Sequence, residues 1–482
     1  MIDRDPMVGD VVVARHVFGA EDFKAFAALS GDRNPLHHDP VYAARTAIGT
    51  PIVPALLAAS PLSAAAGMAL PGHRSLVLGV EVRALEPVFY EQEVVYSCRV
   101  MAVSEATGVL DLRAIALQAG RVVIEGRLRV RVRDDVAKGD GPAPSWGALR
   151  SAADPRRALI TGAGGSVGAA CARALAGRGW QLTLQHRRGD SRAAALAAEL
   201  GAAPQVEHLP GDLADPEDRA ALAAGLARAP VDAVVHAASP PVEAPSADLH
   251  AVSYAALRAL VDAVLPHMLE GQEGAVVTIG SEAVRTTPPG WEDYVAAKVA
   301  AAKLTETIGR RHGAHGISAA VVNPTYVTGE FSAAYRSDAD AALMPEEVAE
   351  VVAELLADPG GGPSELWLRP GVTERTPSVT PVAESMAPVA AAGEPEAAAS
   401  QAMQVPAGEG EVERIVRAVL GLEPSVGLAD AGLGRTENWT SLAQIEILLA
   451  LEQELGITFS SAELSAAPSL SDLKDLVARK RA

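Results

Sequence analysis

The sequence predicts three folded units in one chain: an α+β domain, a doubly wound α/β domain with a parallel sheet, and a small all-α bundle of four helices. The chain has 482 residues, too many for one core at roughly 150 residues per domain. Two stretches rich in Pro, Ala, Gly and Glu, 136–155 and 371–408, have no periodic apolar face and are predicted to be linkers. They separate predicted domains at 1–135, 156–370 and 409–482, and the second is long enough to be a flexible tether.

Charge and composition exclude several classes of protein. The net charge of −19 argues against a nucleic-acid partner. No apolar run reaches the roughly 18 uncharged residues that a membrane span needs, and the acidic start is unlike a signal peptide, so we expect a cytoplasmic protein without a membrane partner. The two cysteines, Cys98 and Cys171, match no metal spacing. We therefore expect no metal site and a reducing compartment.

In the first domain, one helical region precedes four runs with alternating apolar positions, which predicts an antiparallel sheet wrapped around a helix. Its early loop, "LSGDRNPLHHDPVYAA", places Asp32 and His37 five residues apart, with Asn34 and Pro35 fixing a turn between them. A carboxylate and an imidazole can hold a water and move a proton, as adding or removing water across a carbon–carbon double bond requires. On these residues alone, an Asx-type turn beside an exposed histidine is the alternative.

The whole stretch resembles the signature of MaoC-like (R)-specific enoyl-thioester hydratases. The matching residues are Leu29, Ser30, Gly31, Asp32, Asn34, Pro35, Leu36, His37 and Ala43. The resemblance implies a hot-dog fold that dimerises through its sheet, with Asp32 and His37 as the catalytic pair for the water and the α-proton. A backbone N–H would hold the thioester oxygen. The sequence departs from the family at Pro54 and Ala55, where a His-Gly pair is common.

The middle domain alternates short apolar strands with helices, which predicts βαβ units and a parallel sheet. After its first strand comes "TGAGGSVG", in which Gly162, Gly165 and Gly168 lie at a strand-to-helix turn. Glycines there let a pyrophosphate approach the amides at the helix start. Tight packing of a glycine-rich turn is the alternative explanation.

Later in this domain, three residues suggest that it reduces a carbonyl group. Tyr294 and Lys298 are one helical turn apart, and Ser281 precedes Tyr294 by thirteen residues. A tyrosine can give a proton near neutral pH if a nearby cation lowers its pKa, and Lys298 is such a cation. A tyrosine and a lysine at helical spacing also occur together on ordinary surfaces.

With the glycine turn and "NP" at 323–324, this domain resembles the short-chain dehydrogenase/reductase family, and most closely its 3-ketoacyl reductases, which give (3R)-hydroxyacyl products. The resemblance implies that Ser281 binds the substrate carbonyl, Tyr294 donates the proton and Lys298 also holds the nicotinamide ribose. The family's fourth catalytic residue, an asparagine, is replaced by Ser253, and the usual "NAG" motif reads "HAAS".

The cofactor is predicted to be NADPH, because Arg187 and Arg188 end the second strand where an acidic residue would select NAD. Asp212, at the end of the third strand, is predicted to contact the adenine of this cofactor. The predicted cofactor-binding residues are Gly162, Gly165, Ser166, Val167, Gly168, Arg187, Arg188, Asp212, Leu213, Ala237, Tyr294, Lys298 and Thr328.

The apolar pattern of the last domain predicts a four-helix bundle, in which Ser441 begins the apolar helix "SLAQIEILL". Locally, this serine fits a helix-capping box completed by Gln444. The segment also resembles an acyl carrier protein along its length, which implies 4′-phosphopantetheine on Ser441, although Thr440 stands where carriers mostly have Asp. Its 12 acidic and 7 basic residues match the acidic face that carriers offer to partner enzymes.

Together these features predict a multifunctional protein of fatty-acid or polyketide type. A 3-ketoacyl thioester on the carrier would be reduced with NADPH and then dehydrated. Expected partners are the acyl thioester substrate, a phosphopantetheinyl transferase, a separate ketosynthase and acyltransferase, and a second copy of the chain, since both catalytic folds form at least dimers. The alternatives are a scaffold with inactive catalytic domains, and an enzyme that acts on free coenzyme A thioesters.

Overall fold

A computed structural model of the chain divides into two compact units, 1–386 and 387–482. It describes residues 5–104, 107–133, 146–150, 154–201, 206–333, 335, 342–357, 363–376, 410–420 and 469–481, together with Leu422, Leu428, Ala431, Thr436, Ile447, Leu451 and Leu455. Ser441 and most of the predicted tether lie outside the described residues.

The first domain is a six-stranded antiparallel sheet curved around one helix. Its strands are β1 (Val11–Val17), β2 (Ser75–Ala84), β3 (Glu93–Ser104), β4 (Val109–Gln118), β5 (Arg121–Val132) and β6 (Gly147–Arg150). Their order across the sheet is β2-β5-β4-β3-β1-β6. Helix α1 (Ala20–Ser30) precedes the early loop, and α2 (Ala55–Ala69) lies within the sheet's curve.

Helix α2 forms the centre of this core because its residues are small and apolar and pack closely on the sheet. Leu62, Ala65 and Ala66 are buried against the inward-facing residues of β3, β4 and β5. The hydroxyl of Tyr96 on β3 donates to the carbonyl of Ala58 at 2.6 Å, which satisfies the one polar atom of this buried ring. The helix entry is thereby fixed relative to the sheet.

Two strands of this sheet differ from the sequence prediction. Strand β1 precedes the helical region, where no strand was predicted, and pairs with β3. The predicted linker 136–155 contains β6, which pairs with β1, and Trp146 beside it is buried against Tyr96. The linker prediction was wrong at these residues because a short strand next to a buried aromatic has no periodicity of its own, and its pairing partner lies more than 130 residues away.

The middle domain is an eight-stranded sheet in the order β14-β13-β12-β11-β10-β7-β8-β9. Its strands are β7 (Arg157–Thr161), β8 (Gln181–His186), β9 (Val206–Pro210), β10 (Ala233–His236), β11 (Gly274–Ile279), β12 (Ile317–Pro324), β13 (Pro363–Arg369) and β14 (Val372–Thr376). All neighbours are parallel except β13 and β14. The doubly wound fold class is confirmed. The linker predicted to begin at 371 instead starts with the hairpin strand β14.

The helices of this domain cover both faces of the sheet. They are α3 (Ser166–Ala176), α4 (Ser191–Leu200), α5 (Pro216–Arg228), α6 (Ser246–Gly271), α7 (Glu292–His312) and α8 (Pro345–Ala357). By length and composition alone α6 is apolar enough to cross a membrane, with a mean hydropathy of 1.2. Here its residues Leu260, Val264 and Met268 lie in the domain core. The helix widens into a π-turn at Ala251–Ala256.

The two catalytic domains are joined by a polar contact centred on Gln272, just after α6. Its side-chain amide donates to the carbonyl and the hydroxyl of Ser97 on β3, both at 3.0 Å. Arg113 on β4 donates to the side-chain oxygen of Gln272 at 2.7 Å and to its carbonyl at 2.8 Å. Because Gln272 is buried and these groups satisfy one another, the outer face of the first sheet is held against the end of α6.

In the second unit, the described residues include helices α9 (Glu411–Leu420) and α10 (Leu470–Arg481). Their apolar faces meet in a small core that contains Ile415, Val416, Leu473, Ile447 and Leu451. Lys474 and Glu413 join the two helices by an ion pair at 2.5 Å. The two remaining predicted helices lie largely outside the described residues.

Candidate active sites

The early loop of the first domain places Asp32 and His37 side by side. Helix α1 ends at Gly31, whose φ of +77° is the left-handed conformation that glycine adopts freely. Asp32 then accepts from the amide of Asn34 at 3.0 Å, and Asn34 accepts from the amide of Leu36 at 3.0 Å. These two Asx-type bonds reverse the direction of the chain. The Asx turn that the sequence offered as the alternative is therefore present, and it is this turn that places Asp32 next to His37.

The hydrogen bonds of His37 define which ring nitrogen is free. Nδ1 lies 2.8 Å from the carbonyl oxygen of Ile52, which can only accept, so Nδ1 carries the proton. In the neutral ring Nε2 is then an acceptor. It lies 3.8 Å from Oδ2 of Asp32. One water or one substrate hydroxyl can therefore contact both groups.

A cavity of about 490 Å³ opens in front of this pair. It is lined by Asp32, His37, the start of α2 at Pro54 and Ala55, and apolar residues such as Val88. The first amides of a helix have no acceptor within the helix. Ala55 is thus placed to donate toward an oxygen in the cavity, although the family's His-Gly pair is missing.

The glycine turn of the middle domain lies between β7 and α3. Gly162 has φ +64°, and a Cβ there would lie 2.8 Å from the Cα of Ala238. A Cβ on Gly168 would lie 2.4 Å from the carbonyl oxygen of Gly162. Side chains are excluded at both positions, and α3 begins beside them at Ser166. The turn leaves the helix amides open to an anionic ligand, which fits a dinucleotide pyrophosphate.

Ser281, Tyr294 and Lys298 line one cavity of about 230 Å³, together with the start of α3. The ammonium of Lys298 donates to the carbonyl of Ile279 at 3.0 Å and lies 5.6 Å from the centre of the Tyr294 ring. Burial lowers the pKa of Lys298 to about 8, so that it remains largely protonated at neutral pH. The structure thus brings the three predicted catalytic residues together.

The pKa of Tyr294 differs from the sequence expectation that Lys298 would lower it. Burial raises the pKa of this phenol, and hydrogen bonds from the hydroxyls of Ser281 and Ser239 lower it by less. The physical reason is that a buried phenolate loses more hydration than these neutral donors return. Tyr294 is therefore held in the protonated form, as a proton donor must be.

A second cavity, of about 680 Å³, adjoins the first, and the two share Gly165, Ala237 and Ser239. Every predicted cofactor residue lines one of the two. Those in the larger cavity are Gly162, Gly165, Arg187, Arg188, Asp212, Leu213 and Ala237, and those in the smaller one are Gly165, Ser166, Val167, Gly168, Ala237, Tyr294, Lys298 and Thr328.

The two arginines predicted to bind a 2′-phosphate are not equivalent. Arg188 forms a bidentate ion pair with Asp218, at 2.5 and 2.6 Å, which raises its pKa. Asp218 also accepts from the amide of Asp212 at 2.7 Å. Arg188 thus already has a carboxylate partner, whereas Arg187 is exposed at the cavity; that both arginines bind a 2′-phosphate stays a prediction.

Several residues at the site were missed from the sequence. Ser239 stands where the family has the glycine of "NAG", and its hydroxyl reaches Tyr294. Trp291, Phe331 and Tyr335 surround Tyr294 with aromatic rings, with centroid separations of 5.6 Å for Trp291 and 6.1 Å for Phe331. The departure from the "NAG" motif could have pointed to Ser239, but no spacing in the sequence predicts that these three aromatic residues meet at Tyr294.

Comparison with known families assigns each domain. Residues 8–111 match the MaoC like domain, 156–340 match the short chain dehydrogenase family and 411–477 match the phosphopantetheine attachment site. An (R)-specific enoyl-CoA hydratase of Aeromonas caviae is 41% identical over 116 residues, which is 24% of this chain and 87% of that protein. A cis-4-hydroxycyclohexanecarboxylate dehydrogenase of Sinomonas cyclohexanicum is 29% identical over 226 residues, 42% of this chain and 90% of that protein.

Among solved structures, a short-chain dehydrogenase from Sphingobium yanoikuyae in complex with NADPH is 26% identical, covering 44% of this chain and 87% of that one with a TM-score of 0.40. The three family matches follow one another along the chain in the order predicted from its motifs. The chain therefore belongs to the MaoC-like hydratase family through its first domain, and it joins that domain to a segment that matches the short chain dehydrogenase family and to one that matches the phosphopantetheine attachment site.

Proposed function

We propose that this chain reduces a 3-ketoacyl thioester carried on Ser441 to the (3R)-hydroxyacyl form and then dehydrates it to the enoyl thioester, within fatty-acid or polyketide type biosynthesis. The observation that supports this most strongly is the joint placement of Ser281, Tyr294 and Lys298 in a cavity that adjoins the glycine turn. NADPH would supply the hydride. Gly162 and Gly168 fit such a dinucleotide because no side chain obstructs the turn.

In the reduction, Ser281 and Tyr294 bind the ketone oxygen through their hydroxyls. As charge develops on that oxygen, Tyr294 gives it a proton, and the nearby ammonium of Lys298 stabilises the phenolate that remains. The aromatic rings around Tyr294 exclude water from the reacting carbonyl. Glu243 accepts a hydrogen bond from Tyr335 at the edge of this aromatic set.

In the dehydration, Nε2 of the neutral His37 ring takes the C2 proton, while Asp32 accepts a hydrogen bond from the C3 hydroxyl and orients it. The amide of Ala55 donates to the thioester oxygen as the enolate forms. The imidazolium then gives its proton to the departing hydroxyl, so that one water leaves and the C2–C3 double bond forms. The ring returns to the neutral state.

Phosphopantetheine would present the acyl group as a thioester at the end of a long arm. The rest of the predicted tether, 377–408, would keep that thioester at roughly millimolar effective concentration near both sites. Extension of the chain would then depend on a separate ketosynthase and acyltransferase, and loading of the arm on a phosphopantetheinyl transferase.

Intact-mass measurement of the full chain tests the proposal. A mass gain of about 340 Da at Ser441 after incubation with a phosphopantetheinyl transferase, and none in Ser441→Ala, would support the carrier assignment. With an acetoacetyl group loaded and NADPH added, the acyl group should gain two hydrogens and then lose one water. An acyl mass that does not change on addition of NADPH would contradict the reduction.

A second candidate function is the same chemistry on free coenzyme A thioesters, which is favoured by the enoyl-CoA hydratase named among the relatives. In that case Ser441→Ala would retain full activity on coenzyme A substrates, and the loaded carrier would be a poorer substrate than coenzyme A. The same variant therefore separates the two candidates.

Arg187 rather than Arg188 is expected to determine the preference for NADPH. Replacing Arg187 by Ala should raise the KM for NADPH by roughly tenfold or more while leaving that for NADH nearly unchanged, because a charge-assisted bond to a phosphate contributes about 1.5–3 kcal/mol. Arg188→Ala is the matched control and should have the smaller effect, since Asp218 already pairs with that guanidinium. Equal effects of the two variants, or NADH used as well as NADPH by the unmodified chain, would contradict this assignment.

We further propose that a second copy pairs along β2, as the hot-dog resemblance implies. This strand is at the edge of the sheet and exposes apolar side chains on both faces: Leu76, Val77, Leu78, Val80 and Val82. Such an edge is a template for another strand. Light scattering should give at least twice the mass of one chain, and Val80→Lys should lower the measured mass. Val103→Lys, at an exposed position on the inner strand β3, is the control and should leave the mass unchanged.

A further inference from the structure

Four aromatic side chains that line the reductase cavity are packed in a closed cycle, which we call the aromatic wall. The ring centroid of Trp291 lies 5.6 Å from that of Tyr294 and 5.2 Å from that of Tyr335. The centroid of Phe331 lies 5.8 Å from that of Tyr335 and 6.1 Å from that of Tyr294. These separations are those of aromatic pairs in contact. Each ring therefore touches two others, and an acyl chain cannot pass between them.

The aromatic wall is anchored to several elements of the domain. Trp291 immediately precedes α7, and Asp293 in the first turn of that helix accepts from the hydroxyl of Ser246 at 2.9 Å, which ties the start of α7 to the start of α6. Glu243, just before α6, accepts from the hydroxyl of Tyr335. Behind the rings, Trp291 and Tyr335 pack against a buried apolar cluster. Moving the wall aside would therefore break polar contacts and expose apolar surface to water.

The two carbon substituents of the reacting ketone differ in what they can contact. In the proposed reduction the ketone oxygen is bound by Ser281 and Tyr294. The C2 side leads to the thioester and then to a polar arm that has to leave the cavity. The aromatic wall offers such an arm little hydrogen bonding, because the hydroxyl of Tyr335 is bonded to Glu243 and that of Tyr294 faces the ketone. The alkyl chain that begins at C4 is therefore the substituent that packs against the wall.

The space in front of the aromatic wall is small. The cavity measures about 230 Å³, and its lining includes the start of α3 and Lys298, where the nicotinamide end of the dinucleotide would bind. The cofactor and the reacting carbons thus take much of this volume. Because Tyr294 both binds the ketone oxygen and belongs to the wall, the wall begins next to the reacting carbon. An alkyl chain therefore meets the rings after only a few carbons.

The hydratase cavity is larger and continues onto an exposed apolar surface. It measures about 490 Å³, and two of its lining residues, Leu56 and Leu85, are 73% and 40% exposed. A longer alkyl chain can leave that cavity along these leucines and keep its contact with apolar atoms. The two sites therefore differ in the length of the acyl chain that they can hold.

We propose that the aromatic wall limits the reductase to short 3-ketoacyl groups of about four to six carbons, so that the reductase and not the hydratase sets the chain length that this protein handles. This inference rests on the proposed reduction and specifies its substrate class. Trp291 and Phe331 determine the specificity, because a longer chain has to displace their packed rings. One methylene in an apolar pocket changes specificity by roughly ten- to two-hundredfold.

Reduction of a series of thioesters tests the proposal in the full chain. The probes are 3-ketoacyl thioesters of pantetheine with four, six, eight and ten carbons, in the presence of NADPH. The value of kcat/KM should fall by at least about a hundredfold between six and ten carbons. Trp291→Ala removes one ring of the wall and should raise the ratio of kcat/KM for ten carbons to that for four by about tenfold or more. Tyr326→Ala changes an exposed ring of the same cavity outside the wall, and should alter this ratio by less than about twofold.

Because the ratio compares two substrates on one variant, it does not depend on the folded fraction or on a general loss of activity. Dehydration of the matching (3R)-hydroxyacyl pantetheine thioesters should vary by less than about fivefold over the same lengths. A flat chain-length profile for reduction, a steeper profile for dehydration than for reduction, or an unchanged ratio in Trp291→Ala would overturn the inference.

A crystal structure provides a readout that does not need turnover. The His37→Gln chain, which should not dehydrate the ligand, is crystallised with NADP⁺ and (3R)-hydroxybutyryl pantetheine. The C4 methyl group should contact the ring of Trp291, and a methyl group that points away from the aromatic wall would overturn the inference. Failure of the unmodified chain to reduce any of the four ketoacyl thioesters, with C4 in contact with Trp291, would instead count against the proposed function alone.

Discussion

Tyr294→Phe is expected to lower kcat of ketoacyl reduction by about a thousandfold, since a positioned general acid contributes roughly 10²–10⁴-fold. The substitution removes one oxygen from a buried ring and leaves its contacts with Trp291 and Phe331 in place. Reduction is then left without its proton donor, because Lys298 lies 5.6 Å from the centre of the ring and the aliphatic hydroxyl of a serine is a much weaker acid than a phenol. The decrease in NADPH absorbance with an acetoacetyl thioester measures the rate.

Tyr326→Phe is the matched control. Tyr326 lines the same cavity but is 43% exposed and has no role in the proposed steps. It should keep kcat within about twofold. A Tyr294→Phe variant that retained a tenth or more of the activity would show that another group donates the proton, and Ser239, whose hydroxyl also reaches this point, would be the next residue to replace.

His37→Gln and Asp32→Asn are expected to abolish dehydration, by at least about a hundredfold, while leaving reduction intact. Glutamine cannot take the C2 proton, and asparagine offers a donor where the C3 hydroxyl needs an acceptor. In the intact-mass assay the loaded carrier should therefore gain two hydrogens and stop there. This outcome also separates the two catalytic domains, since each variant changes only the second step.

His38→Gln is the control for these variants. His38 is the next residue, but its ring stacks on Phe23 at 5.2 Å and does not line the cavity. Dehydration should continue at the normal rate. If the His37→Gln variant still dehydrated the hydroxyacyl group, another residue would have to be the base. The proximity of Nε2 to Asp32 would then play no part in catalysis.

The sequence was sufficient to predict those features that depend only on residues close together in the chain. The glycine turn, the one-turn spacing of Tyr294 and Lys298, and the Asp32–His37 loop each need only short-range geometry, and they carry the resemblance to two of the three domain families. The alternation of strands and helices predicted the parallel sheet for the same reason: periodicity is set by whether one or both faces of an element are buried.

Other features were decided by residues far apart in the chain. Strands β1 and β6 are stabilised by each other and by β3, and neither is periodic enough to be recognised alone. The difference between Arg187 and Arg188 depends on Asp218, thirty residues away. The pKa of Tyr294 follows from burial, a property of the packed core that no local spacing predicts.

The sequence by itself determined which reactions this protein is equipped for, because the reactive groups are few and their spacing is local. The tertiary structure alone decided which nitrogen of His37 is free and which arginine is paired with a carboxylate. In each case the deciding partner is a backbone carbonyl or a side chain from a distant element: Ile52 for His37 and Asp218 for Arg188. Hydrogen bonding and desolvation act over a few ångströms in space, whatever the separation along the chain.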